Sequence, residues 1–558
     1  MVDGQGEEVV SSVAFMGAML PDDDTCWAAL RAHDARFDGL FFVGVRSTGI
    51  YCRAVCPAKM PKRENCTFFR SAAQAEAAGF RPCLKCRPEL APGAPLASDT
   101  DQVVQRAAAI IREHAGSCRV ADISSQLGLS ERQLRRLFER TFGVTPTAYR
   151  TTCRLLLAKS LLTDTDLPVT RVAYACGFSS VRRFNDAFLE NYRMPPSRFR
   201  AKAAEGATRV CAGPIVLHIG YRPPYRFDLL LDFLRLRSIA GVEAVEGGAY
   251  MRTVRLSGSS YVLDPARETA PLAPDDGLLS LACEASLSQV GEVGARSRIG
   301  WIRVADDPTR NRLALTVSPE LFGDLPLVVA RVRRLFDADC LPAVVEAGLA
   351  DFHARVPAAS RIPGIRLPCS FDGFEMAVRA ILGQQVTVKA AGTMAGRVAA
   401  AFGTPMQTPH AALTTAFPSP AAFCAPDAAE RLGQLGVIAQ RARAICMLAC
   451  SLCSGEVTLK PGVDLEAEAR ALAAIPGIGD WTVQYLLMRA YGHPDAFPAT
   501  DLGVKNAFPG LKPRELARLS EAWSPWRSYA VMSLWSAPHD PAASTGEPDA
   551  VKRSLPSA

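Results

Sequence analysis

The 558-residue sequence contains no apolar run approaching the roughly 18–20 residues needed to cross a bilayer, so nothing in it reads as a membrane helix. It has no secretory leader either: Asp3, Glu7 and Glu8 make the N-terminus acidic. Residues 1–24 read instead as a loose leader, with Met16 and Met19 as alternative start positions. Without an export signal, the 17 cysteines are expected in a reducing, cytoplasmic, nucleoid-associated setting. Disulfides are then not expected, and clustered cysteines point to metal or thiol chemistry. The chain also lacks a repeat array. With 49% hydrophobic and 21% charged residues it is globular rather than disordered. At roughly 100–200 residues per domain, about three to five domains are expected.

The net charge of +7 is unevenly spread. Residues 100–203 hold 17 Lys and Arg against 9 Asp and Glu, an excess larger than that of the whole chain. Residues 25–90 hold 11 against 5. The first 200 residues therefore look polyanion-facing, and the remainder is near neutral. Composition divides the chain into a cysteine-containing stretch at 25–92, an arginine-rich helical stretch at 100–203, a β-rich stretch at 213–318, a helical stretch at 319–540 and a tail at 541–558 that reads as disordered. Pro92-Gly93-Ala94-Pro95 reads as a linker. Strands are expected at 215–219, 250–256, 299–304 and 313–317, with a loop at 264–276 between the second and third.

Three constellations carry chemistry. Cys52-Arg-Ala-Val-Cys56 and Cys83-Leu-Lys-Cys86 are two close pairs separated by 26 residues. Each pair can supply adjacent corners of a tetrahedral Zn²⁺ site. The competing reading is four buried free thiols, and Cys66 between the pairs reads as a core thiol. In the second stretch, Val120–Ser130 reads as a helix, a Gly turn and a Ser N-cap. A second helix then follows over Glu131–Thr141, with Arg132, Gln133, Arg135 and Arg136 on its open face. The pattern recurs with Val169–Cys176, Gly177 and a helix at 179–192 carrying Arg182 and Arg183. Recognition helices present such N-terminal arginines to the major groove. A plain helical bundle with solvated arginines is the alternative. In the last stretch, Pro476-Gly477-Ile478-Gly479 fits a hairpin whose following helix offers free N–H groups to a DNA phosphate. Asp501, 22 residues after Gly479, reads as a helix N-cap.

Resemblances sharpen all three. Residues from Phe41 through Cys52 and Cys56, Arg63-Glu64-Asn65 and Gly79-Phe80-Arg81-Pro82-Cys83 to Cys86 resemble the methyl-accepting zinc module of Ada-type proteins. That resemblance implies one Zn²⁺ on Cys52, Cys56, Cys83 and Cys86, with Cys52 accepting a methyl group from a methyl phosphotriester. Zn²⁺ with four thiolates carries about −2 charge and repels DNA, and methylation removes one negative charge. Gly143-Val-Thr-Pro146, Gly177-Phe178-Ser179 and Pro196-Ser197-Arg198-Phe199 resemble AraC-type double helix-turn-helix domains. Residues 213–540 resemble AlkA-type 3-methyladenine DNA glycosylases of the helix-hairpin-helix superfamily. The likeness runs through Tyr221 to Tyr225, Ile362 to Pro368, Ala377 to Val386, the hairpin, Phe497-Pro-Ala-Thr-Asp501 and Trp523 to Ala530.

The implied fold is multidomain, mainly α with α+β parts. It joins a small four-cysteine zinc domain, a double helix-turn-helix, a β-rich AlkA-type N-terminal subdomain and helix-hairpin-helix glycosylase domains. The implied activity is excision of bases such as 3-methyladenine and 7-methylguanine after flipping, with Asp501 as the catalytic carboxylate. Phe233, Trp481, Tyr485 and Trp535 would line the base pocket, and Gly477, Gly479 and Gln385 would meet DNA. Gln385 stands where the family has an apolar wedge, and Leu502 where an aromatic is usual. Trp481 occupies the position of the Schiff-base Lys of lyase-active relatives, which implies excision without strand cleavage. Core packing is the competing role for each aromatic. No Pro-Cys-His-Arg motif occurs, so O6-alkylguanine repair is not expected. The implied partners are double-stranded DNA, as alkylated substrate and as promoter operator, and RNA polymerase, with no membrane. The alternative is a methyl-sensing regulator with a vestigial glycosylase half.

Overall fold

The structure, a computed structural model, describes residues 21–93, 99–114, 119–204, 214–256, 297–356, 362–460 and 462–536. The expected leader up to residue 20, the expected loop at 264–276 with the sequence around it, and the tail at 541–558 lie outside them. No helix among the described residues is long and apolar enough to cross a membrane.

The leader expected over 1–24 reaches too far. Asp22 caps a helix over Asp23–Arg31, its carboxylate accepting from Thr25 N at 2.8 Å. Asp23 and Asp24 sit in the first turn, where negative charge suits the helix dipole. The cysteine module is then built on a four-stranded sheet of order β3-β1-β2-β4, with β1 Phe42–Val45, β2 Ile50–Arg53, β3 Cys66–Phe69 and β4 Arg81–Pro82. β1 pairs antiparallel with β2 and β3, and its Val43 lies opposite Cys52. Cys83 N donates to Tyr51 O at 3.0 Å, so the second cysteine pair is fastened to the strand that carries the first.

Both helix-turn-helix units form, joined by the 19-residue helix Pro146–Asp164. The first packs Val104, Ile111, Ile123, Leu134 and Phe138 into a small core of its own. The second buries Phe184, Phe188, Tyr192 and Phe199 in the same core as the cysteine module. Its second helix starts at Val181, two residues later than the 179–192 pattern suggested, because Ser180 takes the cap.

The β-rich stretch is a five-stranded antiparallel sheet of order β5-β9-β8-β7-β6: β5 Ile215–Gly220, β6 Glu243–Glu246, β7 Ala249–Leu256, β8 Arg298–Asp307 and β9 Arg312–Val317. Four of the five match expected strands. β6 is a short Glu-Ala-Val-Glu segment and gave no alternation to read. Glu243 is nonetheless buried, because Arg379 at 2.8 Å, Arg252 at 3.6 Å and the Tyr250 hydroxyl at 2.5 Å satisfy it. A second, helical core, with Phe374, Ile381, Val398, Leu448 and Leu486 at its centre, lies beyond the sheet.

Buried ionic contacts join these parts. Lys159 on the long helix is 1% exposed and pairs with Glu89 of the cysteine module. Arg87 bridges Glu89 at 2.8 Å and Asp164 at 2.6 Å, and His218 of β5 lies 3.4 Å from Asp164. Glu76 is buried at the same seam, accepting from Tyr51 at 3.0 Å and Thr152 at 2.7 Å. Burial raises its carboxyl to about 7, although the hydrogen bonds from Thr152 and Tyr51 oppose this.

Two outcomes follow from the seam. Lys159→Met leaves Glu89 buried with only Arg87 and is expected to cost about 3 kcal/mol in urea unfolding, more than Lys159→Met combined with Glu89→Leu. Glu76 favours its protonated form when folded. Its stabilising contribution is therefore complete below pH 4.5 and lost as pH rises through about 7. Thermal melts of Glu76→Gln between these pH values should show a flatter profile than those of the unmodified chain.

Candidate functional site

The sulfurs of Cys52, Cys56, Cys83 and Cys86 all lie within 4.8 Å of one another, and all four residues are buried. Zn–S bonds of about 2.3 Å place tetrahedral sulfurs about 3.8 Å apart, so the cluster fits one Zn²⁺. Arg53 N donates to Cys86 Sγ at 3.4 Å, a bond that favours the charged thiolate. Cys66 stands apart, its thiol donating to Lys62 O at 3.4 Å, as a core thiol does. Cys52, Cys56 and Cys83 border a cavity of about 400 Å³. Its lining includes Lys59, Arg81 and Lys85, and also Tyr192, Met194 and Phe199 of the second helix-turn-helix unit.

In the first helix-turn-helix unit, Gly128 takes φ +65° in the turn and Ser130 caps the helix Glu131–Phe142. Arg132, Arg135 and Arg136 are exposed on that helix, and Arg135 pairs with Glu139 at 3.0 Å. Gln133 is exposed too, but its side chain closes the capping box, accepting from Ser130 N at 2.9 Å. In the second unit Arg182 and Arg183 are exposed at the start of Val181–Tyr192, with Arg183 reaching Ser179 Oγ at 3.4 Å.

Asp501 caps the helix Leu502–Ala507. Its Oδ1 accepts from Gly503 N at 2.9 Å, from Val504 N at 3.4 Å and from Trp535 Nε1 at 2.9 Å. Its Oδ2 accepts from Trp481 Nε1 at 3.1 Å. The capping role read from sequence is present, and two indoles hold the same carboxylate as well. Trp481 and Tyr485 are one turn apart on the helix Asp480–Arg489 and stack at 5.0 Å. Tyr485 lies 6.0 Å from Trp535, and Trp535 stacks on Phe233 at 6.3 Å. Trp481 and Trp535 therefore reach Asp501, and Tyr485 and Phe233 pack against those two rings.

Sequence reasoning missed two arginines here. Arg237 sits 3.7 Å from the Phe233 ring centroid and Arg489 4.7 Å from it. Arg489 is buried and donates to the Tyr485 hydroxyl at 3.2 Å and to Pro368 O at 2.6 Å. Burial lowers the Arg237 guanidinium to about 10. Phe233 is itself buried, so it serves as the platform for two cations as well as a wall. Arg237 follows an apolar helix and Arg489 ends one. Each lies four residues after an expected aromatic, Phe233 and Tyr485, and that helical spacing was the signal to read.

The hairpin lies beside this centre. Gly477 takes φ +95°, and a Cβ there would come within 3.0 Å of Ala444 Cβ. Gly479 is exposed and N-caps the helix that carries Trp481. Gln384, also unremarked in sequence, donates to Gly477 O at 2.9 Å and Thr482 Oγ1 at 3.1 Å, locking its loop to the hairpin. Gln385 follows it, exposed and at φ +54°. Leu502, next to Asp501, is 72% exposed.

Four family models match successive parts of the chain. Residues 25–89 match the metal binding domain of Ada, 123–202 a helix-turn-helix domain, 216–372 the AlkA N-terminal domain, and 378–515 the HhH-GPD superfamily of base excision DNA repair proteins. A protein of Mycobacterium tuberculosis (strain CDC 1551 / Oshkosh) named probable bifunctional transcriptional activator/DNA repair enzyme AlkA is 38% identical over 527 residues, covering 93% of this chain and 97% of the relative. The DNA-3-methyladenine glycosylase 2 of Escherichia coli (strain K12) is 32% identical over 317 residues, covering 57% of this chain and 95% of the relative. The bifunctional transcriptional activator/DNA repair enzyme Ada of the same organism is 33% identical over 178 residues, covering 32% of this chain and 49% of the relative. With a zinc-type thiol cluster, paired helix-turn-helix units and a carboxylate set among aromatics in one chain, the protein belongs to the AlkA family whose glycosylase follows an Ada-type metal-binding domain and helix-turn-helix.

Proposed function

We propose that the protein removes alkylated bases such as 3-methyladenine and 7-methylguanine from DNA, and that its front half senses methylation damage and regulates transcription. The clamp on Asp501 carries the first part: two indole N–H groups hold one carboxylate inside an aromatic enclosure. A base buried in a duplex must be flipped out before its glycosidic bond can be reached. The faces of Trp481, Tyr485 and Trp535 suit an electron-poor or cationic purine, at about 0.5–2 kcal/mol per contact. Asp501 faces the sugar, stabilises the positive charge that grows as the C–N bond breaks, and directs water to it. The exposed N–H groups at the Gly477–Gly479 hairpin grip phosphate without reading sequence. Gln385, exposed beside the hairpin loop, fills the space the flipped nucleotide leaves. With Trp481 in the position of a Schiff-base Lys, the reaction ends at base release.

In the front half, zinc keeps the four cysteines deprotonated at neutral pH. Cys52 Sγ attacks the methyl carbon of a phosphotriester. A C–S bond forms, the C–O bond breaks, and the phosphodiester leaves as an anion. One negative charge disappears from the cluster, DNA repulsion falls, and the arginine faces at Arg132, Arg135, Arg136, Arg182 and Arg183 engage an operator. The cluster is next to the second unit, across the cavity closed by Tyr192, Met194 and Phe199, which supports communication between them.

Asp501→Asn keeps the cap and is expected to lower excision of labelled 3-methyladenine from methylated duplex at least about 10²-fold while leaving DNA binding intact. An unchanged rate would move catalysis off Asp501. Cys52→Ala is expected to abolish transfer of labelled methyl groups from methylated DNA to protein, with excision retained. Undiminished uptake would place the acceptor on another cysteine.

A further inference from the structure

Outside the zinc-type cluster, the described residues hold a second group of thiols, on the helical half. Cys424 follows the turn Pro420–Phe423. Cys450 and Cys453 are three residues apart at the end of the helix Ala439–Ser454. The Cys424 and Cys453 sulfurs are 3.7 Å apart, and all three residues are exposed. Cys424 interacts with Cys450 as well. Exposure admits small solutes, and the 3.7 Å separation brings the Cys424 and Cys453 sulfurs within reach of each other.

We propose that Cys424, Cys450 and Cys453 form a thiol modification site at which a peroxide-class oxidant closes a reversible disulfide to Cys424. Cys453 Sγ attacks a hydrogen peroxide oxygen, the O–O bond breaks, and a sulfenic acid and one water result. Cys424 Sγ then attacks the sulfenic sulfur. The S–S bond forms, the S–O bond breaks, and the hydroxyl leaves as water with the Cys424 proton. Two thiols lose two hydrogens in all, and one peroxide becomes two waters.

The bond would tie down a helix that backs the DNA-facing hairpin. Near the other end of that helix, Ala444 lies 3.0 Å from where a Gly477 Cβ would sit, and Arg441 donates to Gln384 O. The site does not depend on the reading of Asp501 or Cys52.

The test is peroxide treatment of the full, zinc-loaded chain, followed by peptide mapping without reduction. The expected product is a linked peptide pair containing Cys424 and Cys453, lighter by two hydrogens and separated again by dithiothreitol. A Cys424–Cys450 link supports the same site. Cys424→Ser should lose the link while excising methylated bases at the unmodified rate. Links confined to the zinc cysteines, links only between chains, or sulfinic and sulfonic products at these three residues without any link would overturn the proposal.

Discussion

Arg222 has no exposed surface, and its hydrogen bonds among the described residues go to backbone rather than to a carboxylate. The carbonyls that meet its donors come from separate segments. Nε reaches Asp38 O at 2.8 Å, Nη1 reaches Asp339 O at 2.9 Å and Cys340 O at 3.2 Å, and Nη2 reaches Gly93 O at 2.7 Å and Pro92 O at 3.4 Å. A buried guanidinium is tolerated only when nearly every N–H is satisfied. The cysteine module, its linker and the glycosylase half must therefore keep one relative placement, or a bare charge is left in the core. Arg53 bonded to Asp38 and Arg333 to Asp339 brace the segments that supply these carbonyls, and Lys159 bonded to Glu89 ties the cysteine module to the helix-turn-helix part. These modules consequently share one continuous core.

A similar logic shapes the surroundings of Asp501. A carboxylate set among rings needs donors. Two come from the backbone of the helix it caps and two from indoles, so each Trp serves both as an aromatic surface and as a hydrogen-bond donor. Replacing either Trp by Phe would keep the ring and remove the donor. Arg237 and Arg489, stacked on Phe233, add positive charge at the far wall. The aromatic cluster is thus bordered by one carboxylate and by two guanidinium groups.

Much of this was legible because the signals are local. The cysteine spacing, the Gly and Ser punctuation of Gly128-Leu129-Ser130 and Gly177-Phe178-Ser179, and four alternating strands all report on neighbours a few residues away. The capping role of Asp501 was readable for the same reason. The burial of Glu243 was not legible, because Arg379, which helps neutralise it, is more than a hundred residues away. β6 itself pairs with β7 across the two-residue turn Gly247-Gly248, a local signal that went unread. Gln133, read as a DNA contact, also closes a capping box with Ser130 three residues before it.

The sequence alone determined which chemistries the chain carries, since residue type and short spacing set ligand number, helix caps and turn geometry. Tertiary structure alone decided what stands next to what. It brought Trp535 to Asp501 across 34 residues and to Phe233 from the other end of the glycosylase half, and set the zinc-type cluster against the second helix-turn-helix unit rather than the first. The physical reason is range. Helix, cap and turn hydrogen bonds act between near neighbours in sequence, whereas burial of charge and apolar surface is settled only when distant segments close over it.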